Sequence, residues 1–218
     1  KKPEEITKKE RTQAKAVNFG YLYGMWYKKF KDYAFESYGV VLTEEEAKHS
    51  REKYFESYPE LLDWHERQRQ EVRQFKGVRS PLGRFRHLPD IDSWDRELAQ
   101  GAERQAINTP VQSMASDMTL IAMILIDKEL EKRFGDSAFL VGQVHDAILA
   151  ECDEKDAVEV AKVIKRCMEG VPQVLRKYFG VHFDVPVVAE VEIGPWGAGE
   201  PLEKFFEKPL DKPVKDVV

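Results

Sequence analysis

Four side chains suited to a polyphosphate and a base recur at every fourth position near the start of the chain. They are two cations followed by two aromatics, namely Arg11, Lys15, Phe19 and Tyr23. Four residues advance a helix by about 40° beyond a full turn, so a helix over residues 10–25 places all four on one face. Cations bind phosphate oxygens, and flat rings stack on bases or sugars. An amphipathic helix with core aromatics and a solvated basic edge has the same spacing.

Two glycines lie beside these aromatics. Gly20 and Gly24 carry no side chain, so we expect them to let a large ligand approach the helix backbone. Each also weakens a helix by about 1 kcal/mol relative to Ala.

Charge is distributed unevenly along the chain. The net charge is −5, yet residues 1–31 contain nine Lys or Arg against three Glu, a balance of +6 that leaves −11 for the rest. A basic segment on an acidic body suits an element that faces phosphate, and a solvated basic face would give the same distribution. The 42% hydrophobic and 33% charged residues describe a soluble globular protein. No apolar run approaches the roughly 20 residues of a membrane span, so we expect no membrane partner.

Two further segments carry polar residues in suggestive places. Residues 94–133 predict a helix interrupted at Pro110, with Arg104, Asn108 and Gln112 on one face, available either to base edges or only to water. Residues 139–151 predict a β-hairpin with the His145–Asp146 pair at its tip. Such a pair, taken alone, is more often a turn with a satisfied histidine than a metal site.

Turn and cap signals mark the remaining elements. Pro81 and Gly83 predict a hairpin turn over residues 78–88, where Arg84 contacts a phosphate backbone or is merely solvated. Thr7 and Thr43 predict capping boxes. Further predictions are a helix over residues 26–38, a helical stretch to residue 74 broken near Pro59, a helix over residues 153–170, a strand over residues 185–193 in the sheet of the His-Asp hairpin, and a disordered tail from residue 194.

Three of these segments resemble, in order, motifs of family A DNA polymerases of the bacterial DNA polymerase I type. ERTQAKAVNFGYLYGM resembles their nucleotide-binding fingers helix, and ERQAINTPVQSMASD resembles a second polymerase helix. QVHD resembles the start of their Gln-Val-His-Asp-Glu hairpin, although Ala147 stands where the family usually has Glu. The implied fold is α+β, with α-rich fingers and palm portions whose helices pack on a small antiparallel sheet. The fingers portion would cover residues 1–75, the palm residues 76–196 and a tail residues 197–218.

The resemblance also implies roles for individual residues. The nucleotide would be bound by Arg11, Lys15, Phe19 and Tyr23, with Lys15 also catalytic as a proton donor. DNA would be contacted by Arg84, Arg104, Asn108, Gln112 and His145. Asp146 would be catalytic as a ligand of two Mg²⁺ or Mn²⁺ ions. These roles describe template-directed addition of deoxynucleotides to a primer 3′ end.

One catalytic group of the family is missing from this sequence. The other metal-binding Asp of the family lies in a strand motif that precedes the fingers helix. One carboxylate cannot hold two ions at a fixed separation, so we expect a second polypeptide carrying the N-terminal palm, the thumb and the rest of the fingers. The partners would be dNTP and primer–template DNA in a bacterial or phage-infected cytoplasm, associated with the nucleoid, with an organelle as the alternative location. Ala147 favours the alternative of a non-catalytic DNA-binding accessory subunit.

Overall fold

The structure, a computed structural model, describes residue 2 and residues 5–205. It is mostly helical, with small two-stranded antiparallel sheets, which confirms the predicted α+β fold. The helices are α1 (Lys8–Leu22), α2 (Tyr27–Tyr38), α3 (Glu44–Ser57), α4 (Glu60–Phe75), α5 (Arg96–Phe134), α6 (Ala157–Glu169) and α7 (Val171–Val174). The strands are β1 (Gly77–Arg79), β2 (Phe85–His87), β3 (Ala138–Val144), β4 (Ala147–Cys152), β5 (Glu192–Ile193) and β6 (Glu200–Pro201).

Local signals set most of the helix ends. Thr7 and Thr43 each form the predicted capping box, in which the hydroxyl accepts from the N3 amide and the N3 glutamate accepts from the cap amide. Gly39 ends α2 with a left-handed φ of 65°. The break near Pro59 separates α3 from α4 as predicted. The first helix ends at Leu22, short of the predicted residue 25.

Aromatic side chains join the first three helices. The rings of Tyr21 and Phe30 lie 4.2 Å apart, and neither side chain is accessible to solvent. The Tyr21 hydroxyl donates to the Ala47 carbonyl oxygen at 2.7 Å and lies 2.9 Å from Ser50 Oγ. Burial raises the pKa of Tyr21 to about 12, so it stays a neutral donor at physiological pH. This contact fixes α1 against α3.

Gly20, within α1, and Gly24, just beyond its end, lie close to side chains of neighbouring helices. A Cβ at Gly20 would lie 2.5 Å from Cδ2 of the buried Phe30 ring. Gly24 adopts a φ of +77°, which favours glycine, and a Cβ there would lie 3.2 Å from Ile107 Cδ1. The prediction that these glycines open the backbone to a ligand is therefore wrong, because neighbouring side chains occupy that space.

The chain divides into two compact units, residues 1–111 and 112–218, within the limits of the described residues. The division falls inside α5, just after Pro110. Helix α5 continues through this proline, so the predicted interruption is wrong: a missing amide costs one hydrogen bond, and the remaining turns keep the helix intact. The boundary between the two compact units therefore differs from the predicted boundaries at residues 75 and 196. The assignment of fingers and palm portions stays a prediction.

The second unit is built around a hairpin and an amphipathic helix. Strands β3 and β4 pair antiparallel, from Ala138 opposite Cys152 to Val144 opposite Ala147. Helix α6, which a short 3₁₀ turn precedes, buries Val160, Ala161, Val163, Ile164 and Cys167. Burial raises the pKa of the Cys167 thiol to about 11, and burial also raises that of Cys152. Neither thiol is ionised at neutral pH.

The end of the described chain differs from the prediction. Only Glu192–Ile193 of residues 185–193 forms a strand, and it pairs with Glu200–Pro201 rather than with the β3–β4 hairpin. Leu202 is fully buried, and its amide donates to the Val191 carbonyl oxygen at 2.8 Å. The predicted strand and the predicted disorder are therefore wrong over these residues, because a buried leucine ties the segment down. Residues 206–218 of the predicted tail lie outside the described residues.

One helical stretch of the described chain, Arg96–Ser137, is long and apolar enough to cross a membrane by length and composition alone. A third of its apolar window, 33%, is buried. A single such helix is weak evidence, because the core helix of a soluble protein passes the same test. The expected absence of a membrane partner stays a prediction.

We expect Gly20→Ala to destabilise the protein by about 1–3 kcal/mol, because the new methyl group overlaps the fully buried Phe30 ring. Gly101→Ala is the matched change within α5, where the added Cβ would meet only Arg104 Nη2 at 3.8 Å. It should instead stabilise by about 0.5–1 kcal/mol through helix propensity. Urea unfolding midpoints measure both, and a neutral Gly20→Ala would contradict the packing described.

Candidate nucleotide and nucleic-acid site

Helix α1 turns a cationic and aromatic face away from its packed side. Arg11 and Lys15 are exposed, and Phe19 keeps 47% of its surface accessible. The opposite face buries Ala16 and Gly20 against the aromatic core. Neither cation has an ion pair or a side-chain hydrogen bond within the described part of the chain. Both charges are thus available to an anion.

Tyr23, the fourth predicted member, lies at the end of this helix rather than within it. It is the C-cap residue, with φ −95° and ψ 18°, and its side chain is half-buried. Burial raises the pKa of Tyr23, so its hydroxyl remains neutral. The left-handed turn at Gly24 follows directly. The position of Tyr23 therefore depends on how this turn is held.

A buried histidine holds the turn. His65 of α4 is 2% exposed, and its Nε2 lies 2.7 Å from the Leu22 carbonyl oxygen. A carbonyl only accepts, so Nε2 carries the hydrogen and donates it. The bond satisfies one of the last carbonyls of α1, which lack partners within the helix. Burial lowers the pKa of His65 more than this bond raises it, so the neutral ring is the stable form.

The β1–β2 hairpin carries Arg84 on its surface. Its turn is closed by the Gly83 amide, which donates to the Ser80 carbonyl oxygen at 2.8 Å, as the Pro–Gly signal predicted. Arg86 donates to Thr109 Oγ1 at 3.0 Å and to Gln105 Oε1 at 2.8 Å, which attaches the hairpin to α5. Arg84 is exposed at the end of the turn, where the sequence predicted a contact with phosphate.

The polar row of α5 is partly buried. Arg104 and Asn108 are half-buried, whereas Gln112 is exposed. The Oδ1 atom of Asn108 is buried and has no hydrogen-bond partner among the described residues. An unsatisfied buried acceptor costs about 1–3 kcal/mol, so this atom gains from a donor supplied by water or by a ligand.

Strands β3 and β4 present His145 and Asp146 in a two-residue turn, as predicted. Val144 pairs with Ala147 across the turn, and Gln143 Nε2 donates to the His145 carbonyl oxygen at 2.7 Å. His145 has a left-handed φ of 56°. Both tip side chains are exposed, so the Asp146 carboxylate is accessible to solvent.

The described residues around Asp146 do not supply a complete set of metal ligands. No group of three or more His, Cys, Asp or Glu suited to a metal ion occurs among the described residues. Asp146 is thus a single carboxylate at the tip, and Ala147 adds no oxygen beside it. One monodentate or bidentate carboxylate does not define a two-ion site.

The predicted site residues fall into two groups. Arg11, Lys15 and Phe19 share one face of α1, and the first unit also contains Tyr23, Arg84, Arg104 and Asn108. The second unit contains Gln112, His145 and Asp146. Most of these predicted site residues are exposed. Their roles stay predictions.

Sequence reasoning missed His65, Trp26 and Arg51. His65 follows a tryptophan inside an amphipathic helix, and its spacing gives no sign of a partner 43 residues earlier in the chain. Arg51 lies with its Cζ 4.6 Å from the Trp26 ring centroid. The aromatic and basic composition of residues 26–38 was the only available signal for this contact.

The profile of DNA polymerase family A matches residues 1–198. The chain belongs to this family. Family A relatives include the DNA polymerase of Bacillus phage SP01, 35% identical over 191 residues, which are 88% of this chain and 20% of that protein. DNA polymerase I of Aquifex aeolicus is 34% identical over 192 residues, which are 87% of this chain and 30% of that protein. The thermostable DNA polymerase I of Thermus aquaticus is 34% identical over 84% of this chain and 20% of its own length.

A solved family A structure has a similar fold. It is the POL domain of Pol1 from M. smegmatis in complex with DNA primer-template and dNTP, with a TM-score of 0.65 and 29% sequence identity. The similarity covers 77% of this chain and 28% of that one. The chain therefore spans between a fifth and a third of the length of these relatives.

We expect the burial of His65 to make stability depend on pH. The unfolded histidine binds a proton near its ordinary pKa of 6.5, while the folded one binds it only at lower pH. Stability is therefore complete above pH 6.5 and falls below it by up to about 1.4 kcal/mol for each pH unit. His65→Gln keeps an Nε2–H donor and removes the titration, so its unfolding free energy should lose this slope.

Urea unfolding of both proteins between about pH 5 and 7.5 measures the difference. His49→Gln changes an exposed histidine of α3 and serves as the control, since it should keep the slope of the unaltered chain. Equal slopes for His65→Gln and His49→Gln would contradict a neutral, buried His65.

Proposed function

We propose that these residues form the C-terminal part of a template-directed DNA polymerase that adds deoxynucleotides to a primer 3′ end. Membership of family A supports the reaction class. The observation that carries the proposal is the face of α1, where Arg11 and Lys15 are exposed without internal partners beside an exposed Phe19.

In this proposal the face of α1 binds the incoming dNTP. The Arg11 guanidinium and the Lys15 ammonium neutralise the triphosphate, and Lys15 also donates a proton to the departing pyrophosphate. Phe19 stacks on the base or sugar. Tyr23 lies beside the templating base, in the turn that His65 holds.

Polar residues of both units contact primer–template DNA. The Arg104, Asn108 and Gln112 row binds base edges and sugars in the minor groove, and the buried Asn108 Oδ1 receives the donor that it lacks. Arg84 binds a backbone phosphate from the β1–β2 turn. His145 positions the primer end.

Asp146 fits one place in a divalent-ion site. Its exposed carboxylate supplies hard oxygen ligands of the kind that Mg²⁺ or Mn²⁺ takes. Ions bound there would activate the primer hydroxyl and stabilise the leaving pyrophosphate. The described residues do not complete the site, so this proposal requires a further carboxylate. We propose a second chain with the N-terminal palm, the thumb and the remaining fingers as its source, in a bacterial or phage-infected cytoplasm.

We expect Asp146→Asn to lower primer extension by the complete polymerase by more than about 100-fold, because an amide is a weak ligand for a divalent ion. DNA affinity should be retained, since the amide keeps the shape of the turn. Asp136→Asn is the matched control, an exposed aspartate at the opposite end of β3. Single-turnover extension and DNA binding measure the two effects.

The same pair of variants separates the accessory-subunit alternative, which Ala147 favours. If Asp146→Asn and Asp136→Asn extend primers equally well, Asp146 takes no part in catalysis. The chain then binds DNA without performing the reaction.

We expect the 218-residue chain alone to extend no primer. Adding a polypeptide with the remaining palm, thumb and fingers should restore synthesis, because the second metal-binding carboxylate then becomes available. Primer extension with each part alone and with both together is the measurement. Extension by the 218 residues alone at the rate of the mixture would contradict the need for a second carboxylate.

A further inference from the structure

The turn that ends α1 is closed partly by its own backbone and partly by another helix. Two backbone bonds within the turn use the carbonyl oxygens of Gly20 and Tyr21 as acceptors, at 3.1 and 3.0 Å. The Leu22 carbonyl oxygen, next in line, accepts from His65 Nε2 of α4 at 2.7 Å. Tyr23 follows Leu22 directly, so its backbone position depends on a side chain 43 residues away.

Neighbouring groups restrict the His65 ring. It is almost fully buried, and the Phe55 ring meets it edge to face, with centroids 5.8 Å apart and planes at 82°. The Trp64 ring centroid lies 5.5 Å away. A Cβ at Gly24 would lie 3.7 Å from His65 Cε1, so the ring lies directly beside the turn that its Nε2 binds.

Arg69, one turn further along α4, lies beside the same turn. Its Nη2 would be 3.6 Å from a Cβ at Gly24. Its Nε is 3.6 Å from an oxygen of Glu103, the residue that precedes Arg104 in α5. Helix α4 therefore adjoins both the turn that carries Tyr23 and the helix that carries the predicted DNA-contacting row.

A buried histidine is a costly way to fill this space. Its ring nitrogens lose their hydrogen bonds to water on burial, and a well-placed partner is needed to compensate. An apolar side chain of similar size would fill the space without that cost, but it would leave the Leu22 carbonyl without its donor. What His65 adds is direction. Its bond fixes the last peptide group before Tyr23.

We propose that His65 is a positioning residue for nucleotide selection, acting on Tyr23 through the Leu22 carbonyl rather than by contact with the dNTP. With its backbone fixed, Tyr23 holds the templating base in one place, and a matched dNTP pairs with it better than a mismatched one. This inference rests on the proposed function and deepens it, because it adds a residue that determines specificity from behind the site.

Single-nucleotide incorporation by the complete polymerase, with matched and mismatched dNTPs, tests this role. His65→Leu removes the donor and should raise the KM for the matched dNTP by about tenfold, the effect of one lost hydrogen bond. The kcat should change by less than about threefold, because Lys15 and Asp146 keep their places. The ratio of kcat/KM for matched over mismatched dNTP should fall by about tenfold as well. His65→Gln keeps an Nε2–H donor and should retain both values.

Val72→Ala is the control for a simple loss of stability. Val72 is fully buried in the same helix, about two turns beyond His65, where it packs with Val78 and Leu88 rather than at the turn. This variant should lower the thermal unfolding midpoint and leave the KM unchanged. Tyr23→Ala tests the route of the effect. Adding His65→Leu to it should raise the KM no further, because the group that His65 positions is already gone.

Hydrogen exchange measures the bond independently of catalysis. The amides of residues 23–25 donate hydrogen bonds within the turn. In His65→Leu they should exchange about tenfold faster, whereas His65→Gln should resemble the unaltered protein. Equal exchange in all three proteins would contradict a turn held by His65.

Three results would overturn the positioning role. They are an unchanged KM and selectivity in His65→Leu, the same rise in KM in Val72→Ala, and a loss in His65→Gln as large as that in His65→Leu. A complete polymerase that extends no primer before any substitution would instead contradict the proposed function itself. Extension with an unchanged KM in His65→Leu contradicts only the role of His65.

Discussion

The packing of the Phe30 ring against the bare backbone of Gly20 decides which face of α1 remains available. No side chain larger than hydrogen fits between them, so the helix has one orientation against α2. The Tyr21 hydroxyl fixes the same helix against α3 through the Ala47 carbonyl. With both contacts made, Arg11 and Lys15 lie on the exposed side of α1. The exposed cationic and aromatic face is thus a consequence of core packing on the other side.

Short-range sequence signals predicted most of the secondary structure. The capping boxes at Thr7 and Thr43, the left-handed end at Gly39 and the two-residue turn at His145 all depend on neighbours within four residues. Such contacts can be predicted because the chain positions them by itself. The motif residues of the candidate site could be placed on elements for the same reason, since α1 and the β3–β4 hairpin have strong local patterns.

The errors arose where distant segments decide. Gly20 was expected to admit a ligand, and its space is taken by Phe30 from the next helix. Residues 185–191 have strand-forming composition, yet the strand that follows them pairs, among the described residues, with Glu200–Pro201. His65 forms its bond with a carbonyl 43 residues away, which no spacing rule reveals. Pro110 was expected to interrupt the helix, yet the surrounding turns keep α5 continuous.

The left-handed backbone at His145 limits the residues that the tip of the hairpin accommodates. A φ of 56° suits Gly, Asn, Asp and His far better than a β-branched or bulky residue. The neighbouring Asp146 has no such left-handed backbone, so only the role proposed for its carboxylate would restrict that position. Few residue types should therefore occur at either position in related sequences. The reason is steric at position 145 and, in the proposed function, chemical at position 146. A glycine in place of His145 would keep the turn while removing its imidazole, which separates the shape of the tip from its chemistry.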